Sequence, residues 1–303
     1  MHYFIINKLY NVSVKETTFI LTGGAGNQLF VIYAGLYFKS FSGSNVSFTY
    51  RPSGNYTESS SVLEMLKFVP NLKVLPLDSS PPSISERAGQ FLRNQSKFYN
   101  RLFNDFSVNY VSPELGLDPK ILKIRNHKKI YGYFQTSYYF DELIKIGIPK
   151  PTLKFTSNWY DDNLLKINIE LPIIMHIRRG DYLNHADIYQ FLDINYYANA
   201  IDSLPRELSA NPIWIFSDDQ KSAHELTRHL PSRKYLVMDQ VNQKAIEVLF
   251  LMSAGVSHII ANSTFSWWGA KLSSNSSHVV APKTWFKDRL TPKDLLPKNW
   301  SYI

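Results

Sequence analysis

The pattern of apolar and polar positions changes rhythm near the middle of the chain. From Ile173 onward, short continuous apolar runs alternate with longer stretches whose apolar residues recur every three or four positions. The runs predict strands over Ile173–Ile177, Ile213–Phe216, Tyr235–Met238, His258–Ala261 and His278–Ala281. The stretches between predict helices over Ile194–Leu204, Lys221–His229, Asn242–Ala254 and Thr264–Leu272. Strands that are apolar along their whole length are buried on both faces. The alternation therefore predicts a mostly parallel sheet covered by helices. The first half is less regular. A strand over Thr17–Thr22 runs into Gly23-Gly24-Ala25-Gly26, and a helix follows from Gln28 to about Lys39. Ser79–Ser85 reads as a loop and Glu86–Phe106 as an amphipathic helix. Pro149 and Pro151 flank Lys150 and mark a linker, which divides the chain into residues 1–150 and 151–303.

Composition narrows the class. Of 303 residues, 44% are hydrophobic and 19% charged, enough to bury a sizeable core and too apolar for disorder. There is no cysteine, which excludes disulfides, thiolate metal sites and thiol catalysis. The net charge of +8 is unevenly placed: 17 basic against 10 acidic residues up to position 150, then 16 against 15. The densest basic stretch is Lys120, Lys123, Arg125, His127, Lys128 and Lys129. It reads either as solvated surface or as a face for an anionic membrane or substrate. No helix-turn-helix, RNP-like or zinc-finger pattern is present, so nucleic acid is not an expected partner. No apolar run approaches the roughly 18 residues of a membrane span, and the first residues lack a signal-peptide apolar core. The expectation is a cytoplasmic protein, with peripheral contact at the inner face of the cytoplasmic membrane as its extension.

In a parallel α/β sheet, ligands bind outside the carboxyl ends of the strands. The residues there are Arg178–Asp181, Ser217–Asp219, Asp239–Asn242 and Asn262–Ser266. His176 and Arg178 lie two apart on one strand and share a face. A guanidinium there needs a partner, either a pyrophosphate or Asp181. Asp218 is either a turn or cap residue, or a recogniser of donors on a base or ribose. Asn262, Ser263, Thr264, Phe265 and Ser266 open a helix directly after a strand, and can cap it or cradle a phosphate. Of the adjacent Trp267 and Trp268, one is expected in the core. The turn of Gly24, Gly26, Asn27 and Gln28 is neither GxGxxG nor a Walker loop; it is a tight turn or a binding loop. No Asp-x-Asp triplet or His/Glu pair with metal spacing exists, so no metal is expected and an Arg takes its place.

The ordered set GGAGNQLF (23–30), GYFQTSYYF (132–140), HIRRGDY (176–182), FSDD (216–219), LMS (251–253) and ANSTFSWWGAKL (261–272) resembles the α-1,2-fucosyltransferases of glycosyltransferase family eleven. The resemblance implies a GT-B-like fold, two Rossmann-type domains facing across a cleft, with the basic first domain on the acceptor side. It implies GDP-β-L-fucose as donor and no metal. The product is an inverted α-1,2 link to a galactose-containing glycan or lipid-linked oligosaccharide, as in O-antigen synthesis. Arg178 would neutralise the β-phosphate and His176 would lie near guanine or phosphate. Asn27 and Gln28 would line the cleft, with Ser263 to Ser266 on phosphate from the other side. The acidic position that serves guanine in the family falls on Val248, so Glu247 beside it or Asp218 takes that part. Asp181 is the first choice for the base, with His185 and Asp187 behind it. Two other readings stay open: a fucosyltransferase of α-1,6 or protein O-linkage, and a non-catalytic nucleotide- or glycan-binding protein on the same scaffold.

Overall fold

The computed structural model describes residues 16–50, 62–67, 73–76, 109–124, 129–180, 190–292 and 294–303. In chain order the first half carries β1 (Glu16–Leu21), α1 (Ala25–Ser42), β2 (Asn45–Tyr50), α2 (Val62–Met65) and β3 (Leu66–Lys67). β4 (Lys73–Val74), β5 (Asn109–Val111), β6 (Lys129–Tyr131) and α3 (Tyr138–Lys145) follow. The chain continues through β7 (Thr152–Leu153), α4 (Asn158–Glu170), β8 (Ile173–Ile177), α5 (Ile194–Asp202), β9 (Ile213–Ser217), α6 (Gln220–Thr227) and β10 (Tyr235–Val237). It closes with α7 (Ala245–Met252), β11 (Ser257–Ile259), α8 (Thr264–Leu272), β12 (His278–Ala281) and β13 (Ser301–Tyr302). The loop expected over Ser79–Ser85, the helix expected over Glu86–Phe106, and Arg125, His127 and Lys128 of the basic stretch lie outside the described residues.

Among the described residues two parallel sheets result, the two-Rossmann α/β class expected. The first runs β4-β2-β1-β6-β5 and the second β10-β9-β8-β11-β12-β13. Numbered along the chain, the second sheet has the order 3-2-1-4-5-6 of a Rossmann fold. Its direction of growth reverses between β8 and β11, and that of the first sheet reverses between β1 and β6. Crevices open at such reversals, because the connections on either side leave toward opposite faces.

The inner strands of the second sheet, β8, β9 and β11, are buried along their whole length because both faces are covered. Alternate residues diverge: Ile173, Met175, Ile177, Ile213 and Ile215 pack with Tyr197 and Ala200 of α5. Ile174, Trp214 and Phe216 face the larger core, which runs from Phe19 to Trp300 through both halves. α1 is apolar nearly all round, as a helix buried between layers must be. It lies against the first sheet, α3 and α8. Trp267 and Trp268, of which one is expected in the core, are both fully buried. Phe30 approaches them at 4.7 and 4.9 Å between ring centroids, and Tyr33 stacks on Trp268 at 5.0 Å. Each such pair adds about 0.5–1.5 kcal/mol beyond its buried area.

The chain expected to part at residue 150 is stitched across that point. Lys150 Nζ donates to the Leu272 and Ser273 carbonyls at 3.1 and 3.0 Å, closing the carboxyl end of α8. β7 then pairs antiparallel with β3. The last stretch of chain returns to the first half, where Ser137 N donates to the Asp294 carbonyl at 2.7 Å.

Among the described residues, two histidines are sealed inside this fold. His258 Nε2 donates to the Met252 carbonyl at 2.8 Å, and Nδ1 lies 2.9 Å from the Ser276 hydroxyl. Burial pushes the His258 imidazole down to about 4. Burial, and secondarily the Arg178 charge, pushes His176 down to about 3. Both are therefore neutral when folded and protonated when unfolded below about pH 6.5. The unfolded chain binds the extra protons, so stability rises with pH through this window and falls as acid is added. Urea titrations are expected to show stability falling by about 1.4 kcal/mol per histidine for each pH unit between about pH 6 and pH 4. His258→Gln should reduce that slope, and an unchanged slope would contradict its burial as the neutral form.

Candidate active site

The site begins where β8 ends. Pairing of β8 with β9 puts Ile177 opposite Ser217, so Arg178 and Asp218 emerge side by side. Arg178 Nη1 lies 3.0 Å from Asp218 Oδ2. The same carboxylate accepts from Arg179 N at 2.9 Å and Gly180 N at 3.0 Å. Asp218 thus binds the turn that carries Arg178, and its side chain and that of Arg178 are each 23% exposed. The sequence offers Asp181 as the protein partner of Arg178. Asp181, His185 and Asp187 lie outside the described residues. Asp219 serves elsewhere, its carboxylate capping α6 by accepting from Ser222 N at 3.0 Å.

His176 shares the Arg178 face, as the strand alternation requires. It is 3% exposed, and its ring centre lies 6.0 Å from that of Phe265. Its Nδ1 is buried and has no hydrogen-bond partner among the described residues. Neutral at ordinary pH, it offers a fixed dipole to a ligand rather than a proton. Arg179 turns away and lies over the Phe191 ring, 4.2 Å from its centroid.

The second wall is the start of α8, after β11. Ser263 is the cap, its side chain accepting from Phe265 N at 3.3 Å. Ser266 Oγ donates back to the Ala261 and Ser263 carbonyls at 3.3 and 3.2 Å. Asn262 is fully buried, and its Nδ2 donates to the Gln190 and Trp285 carbonyls at 2.9 and 3.0 Å. Of this segment the structure therefore places Ser263, Thr264 and Phe265 on the junction, with Asn262 and Ser266 as their inner supports.

The third wall is the glycine turn. Gly24 caps α1 with no side-chain hydrogen bond, so the first-turn amides rely on their surroundings. Gly26 presses on α8: a Cβ there would lie 2.5 Å from the Thr264 carbonyl carbon and 2.6 Å from Phe265 N. Gln28 holds the turn, donating to the Gly23 carbonyl at 2.9 Å and accepting from Val62 N at 3.4 Å. Asn27 Oδ1 accepts from Gln135 Nε2 at 3.0 Å.

Glu247 does not join these walls. It is fully buried and accepts from Ser157 N at 2.9 Å and Ser157 Oγ at 2.7 Å. Its carboxylate anchors the start of α4, and the structure does not bring it together with Arg178 and the start of α8. Gln135 meets the glycine turn through Asn27, and the sequence alone does not single it out. It lies within the GYFQTSYYF motif, but no spacing rule pairs it with Asn27, because the two are 108 positions apart.

Arg178 from β8 and the α8 start from β11 flank the reversal in the second sheet, and the glycine turn of the first sheet closes on them. The family model for glycosyl transferase family 11 matches residues 20–303. The chain belongs to glycosyltransferase family 11. The O-antigen biosynthesis glycosyltransferase WbnK of Escherichia coli is 30% identical over 56% of this chain and 60% of its own. An Escherichia coli alpha-1,2-colitosyltransferase is 32% identical over 43% of this chain and 47% of its own. A Caenorhabditis elegans galactoside 2-alpha-L-fucosyltransferase is 27% identical over 56% and 51%. The matched segment thus spans about half to three-fifths of each of these relatives. Among the described residues, no helix is long and apolar enough to cross a membrane.

Contact of Gly26 with the α8 backbone leaves no room for a methyl group. In an open helix, Gly→Ala stabilises by roughly 0.5–1 kcal/mol. Here overpacking reverses the sign, and Gly26→Ala is expected to cost about 1–3 kcal/mol. A lowered melting temperature checks this; a raised one would contradict the close approach.

Proposed function

We propose that this family 11 member moves L-fucose from GDP-β-L-fucose to the 2-hydroxyl of a galactoside, with inversion and without a metal. The acceptor is a galactose-containing glycan or lipid-linked oligosaccharide of a surface polysaccharide, and the chain works at the cytoplasmic face of the membrane. The observation that carries this reading is Arg178, oriented by Asp218 at the sheet reversal and opposite the amino end of α8.

In the proposed reaction the bond between fucose C1 and the β-phosphate oxygen breaks while a bond from galactose O2 to C1 forms on the opposite face. Negative charge grows on the departing GDP. A guanidinium meets that charge with charge-assisted hydrogen bonds, and the amino end of a helix favours it further. The acceptor proton passes to a carboxylate, for which Asp181 remains the candidate. The neutral His176 beside Arg178 provides a hydrogen-bonding ring nitrogen without adding a second positive charge. Kinship with a colitosyltransferase makes the donor sugar the variable to test, since colitose is fucose without its 3-hydroxyl.

Two outcomes are expected from purified protein with GDP-fucose and a panel of galactosides. Arg178→Lys should lose about two to three orders of magnitude in kcat, because a point charge cannot replace the planar fork. Near-normal turnover in that variant would remove Arg178 from the role assigned to it. Wild-type turnover should survive excess EDTA, the Arg doing what a divalent ion would otherwise do. Complete loss on chelation, restored by Mg²⁺ or Mn²⁺, would overturn the metal-free reading.

A further inference from the structure

We propose that Gln135 is a positioning residue for this reaction, holding the Asn27 carboxamide in one orientation at the reversal point of the first sheet. The inference rests on the reading that the donor binds at the junction of the two sheets.

β1 and β6 flank that reversal, and each sends one amide side chain across it. Asn27 follows β1 through the glycine turn, and Gln135 follows β6. Gln135 Nε2 donates to Asn27 Oδ1 at 3.0 Å. On its other side the Asn27 amide is bounded by Gly23, where a Cβ would lie 2.8 Å from Nδ2. Gly23 also has φ +71°, so glycine is required there on both counts. Asn27 is thus held at Oδ1 by Gln135 and lies close against Gly23, one position after the Gly26 that touches Thr264 and Phe265.

Gln135 itself is held at a cost that packing alone does not explain. It is 6% exposed, and its Oε1 is buried with no hydrogen-bond partner among the described residues. An unpaired buried carbonyl opposes folding. The preceding Phe134 has φ 51°, a left-handed conformation unfavourable for a bulky residue. That backbone is fixed from outside: Gln135 N donates to the Leu115 carbonyl at 2.8 Å, and the Phe134 ring packs on Phe19 and Tyr139. The 112–118 loop that supplies Leu115 is tied by Asp118, which accepts from Tyr110 Oη at 2.6 Å and Ser112 Oγ at 2.8 Å. An unpaired polar atom on Gln135 and a left-handed backbone at the residue before it mark a place where geometry is kept for function.

A double-mutant cycle on steady-state transfer tests this, using GDP-fucose, GDP-colitose and GDP-mannose as donors and a galactoside acceptor. Gln135→Met keeps the side-chain length and removes both polar ends. Its melting temperature should match or exceed wild type, because the unpaired carbonyl goes. Donor kcat/KM should fall about tenfold with a raised donor KM, while the acceptor KM stays within about twofold. Asn27→Ala should fall at least as far, and the double variant no further than Asn27→Ala alone. Should Gln135→Met fail to accumulate, Gln135→Asn, one methylene short of Asn27, is expected to show the same loss. Wild-type kinetics in the Gln135 variant would overturn the proposal. So would losses that multiply in the double variant, or a loss confined to kcat with a lowered melting temperature. A wild-type chain that uses only another donor overturns the fucose reading, and the cycle is then decided on that donor by the same criteria. A wild-type chain that uses none of the three overturns the reading and this proposal together.

Discussion

The backbone contact between Gly26 and the Thr264–Phe265 peptide governs the molecule. A strand-to-helix turn of one sheet meets a strand-to-helix turn of the other at a separation that no side chain permits. Phe30 and Tyr33, one and two turns further along α1, then pack on Trp267 and Trp268 of α8. Because this aromatic core belongs to both halves, the two sheets cannot be moved apart without exposing it. The reversal points of both sheets are brought to one place, and the polar groups of the site come from both.

Charge at that place is arranged by neighbours close in space and far in sequence. Asp218 accepts from two backbone amides and faces Arg178, so one carboxylate fixes both the turn and the cation it carries. The neutral His176 imidazole adds no like charge next to that guanidinium, since protonating it would require a second buried cation within the same wall. Glu247, on α7, is fully buried, and its oxygens accept from the Ser157 amide and hydroxyl at the start of α4. The two carboxylates differ in use because Asp218 follows a strand and Glu247 lies on a helix turned inward.

Much of the second half is legible in the sequence alone. Ile173–Ile177, Thr264–Leu272 and His278–Ala281 are found with the predicted bounds, because continuous apolar runs framed by polar residues admit few alternatives. The first half is less so. β2, with its mixed Asn45–Tyr50 sequence, and the three-residue β5 and β6 carry too little pattern to be seen alone. They form because β1 and its neighbours template them. At the site, Arg178 and the Ser263–Phe265 segment are legible from strand-end position. Asp218 as the partner of Arg178 is not, because the pairing depends on β8 and β9 being adjacent. Both tryptophans in the core and the Asn27–Gln135 pair likewise depend on which sheet edges meet, which local sequence does not encode.

In the proposed reaction, Arg178 and the α8 start stabilise the departure of a nucleoside diphosphate while a hydroxyl attacks from the other side. The linkage of the product preserves the direction of that attack. The most direct measurement is NMR analysis of the disaccharide formed from GDP-β-L-fucose and a β-galactoside by the purified chain. An α-linked fucose on the galactose 2-hydroxyl is the expected product. A β-linked product, a link to another hydroxyl, or release of GDP and fucose with no transfer would contradict it.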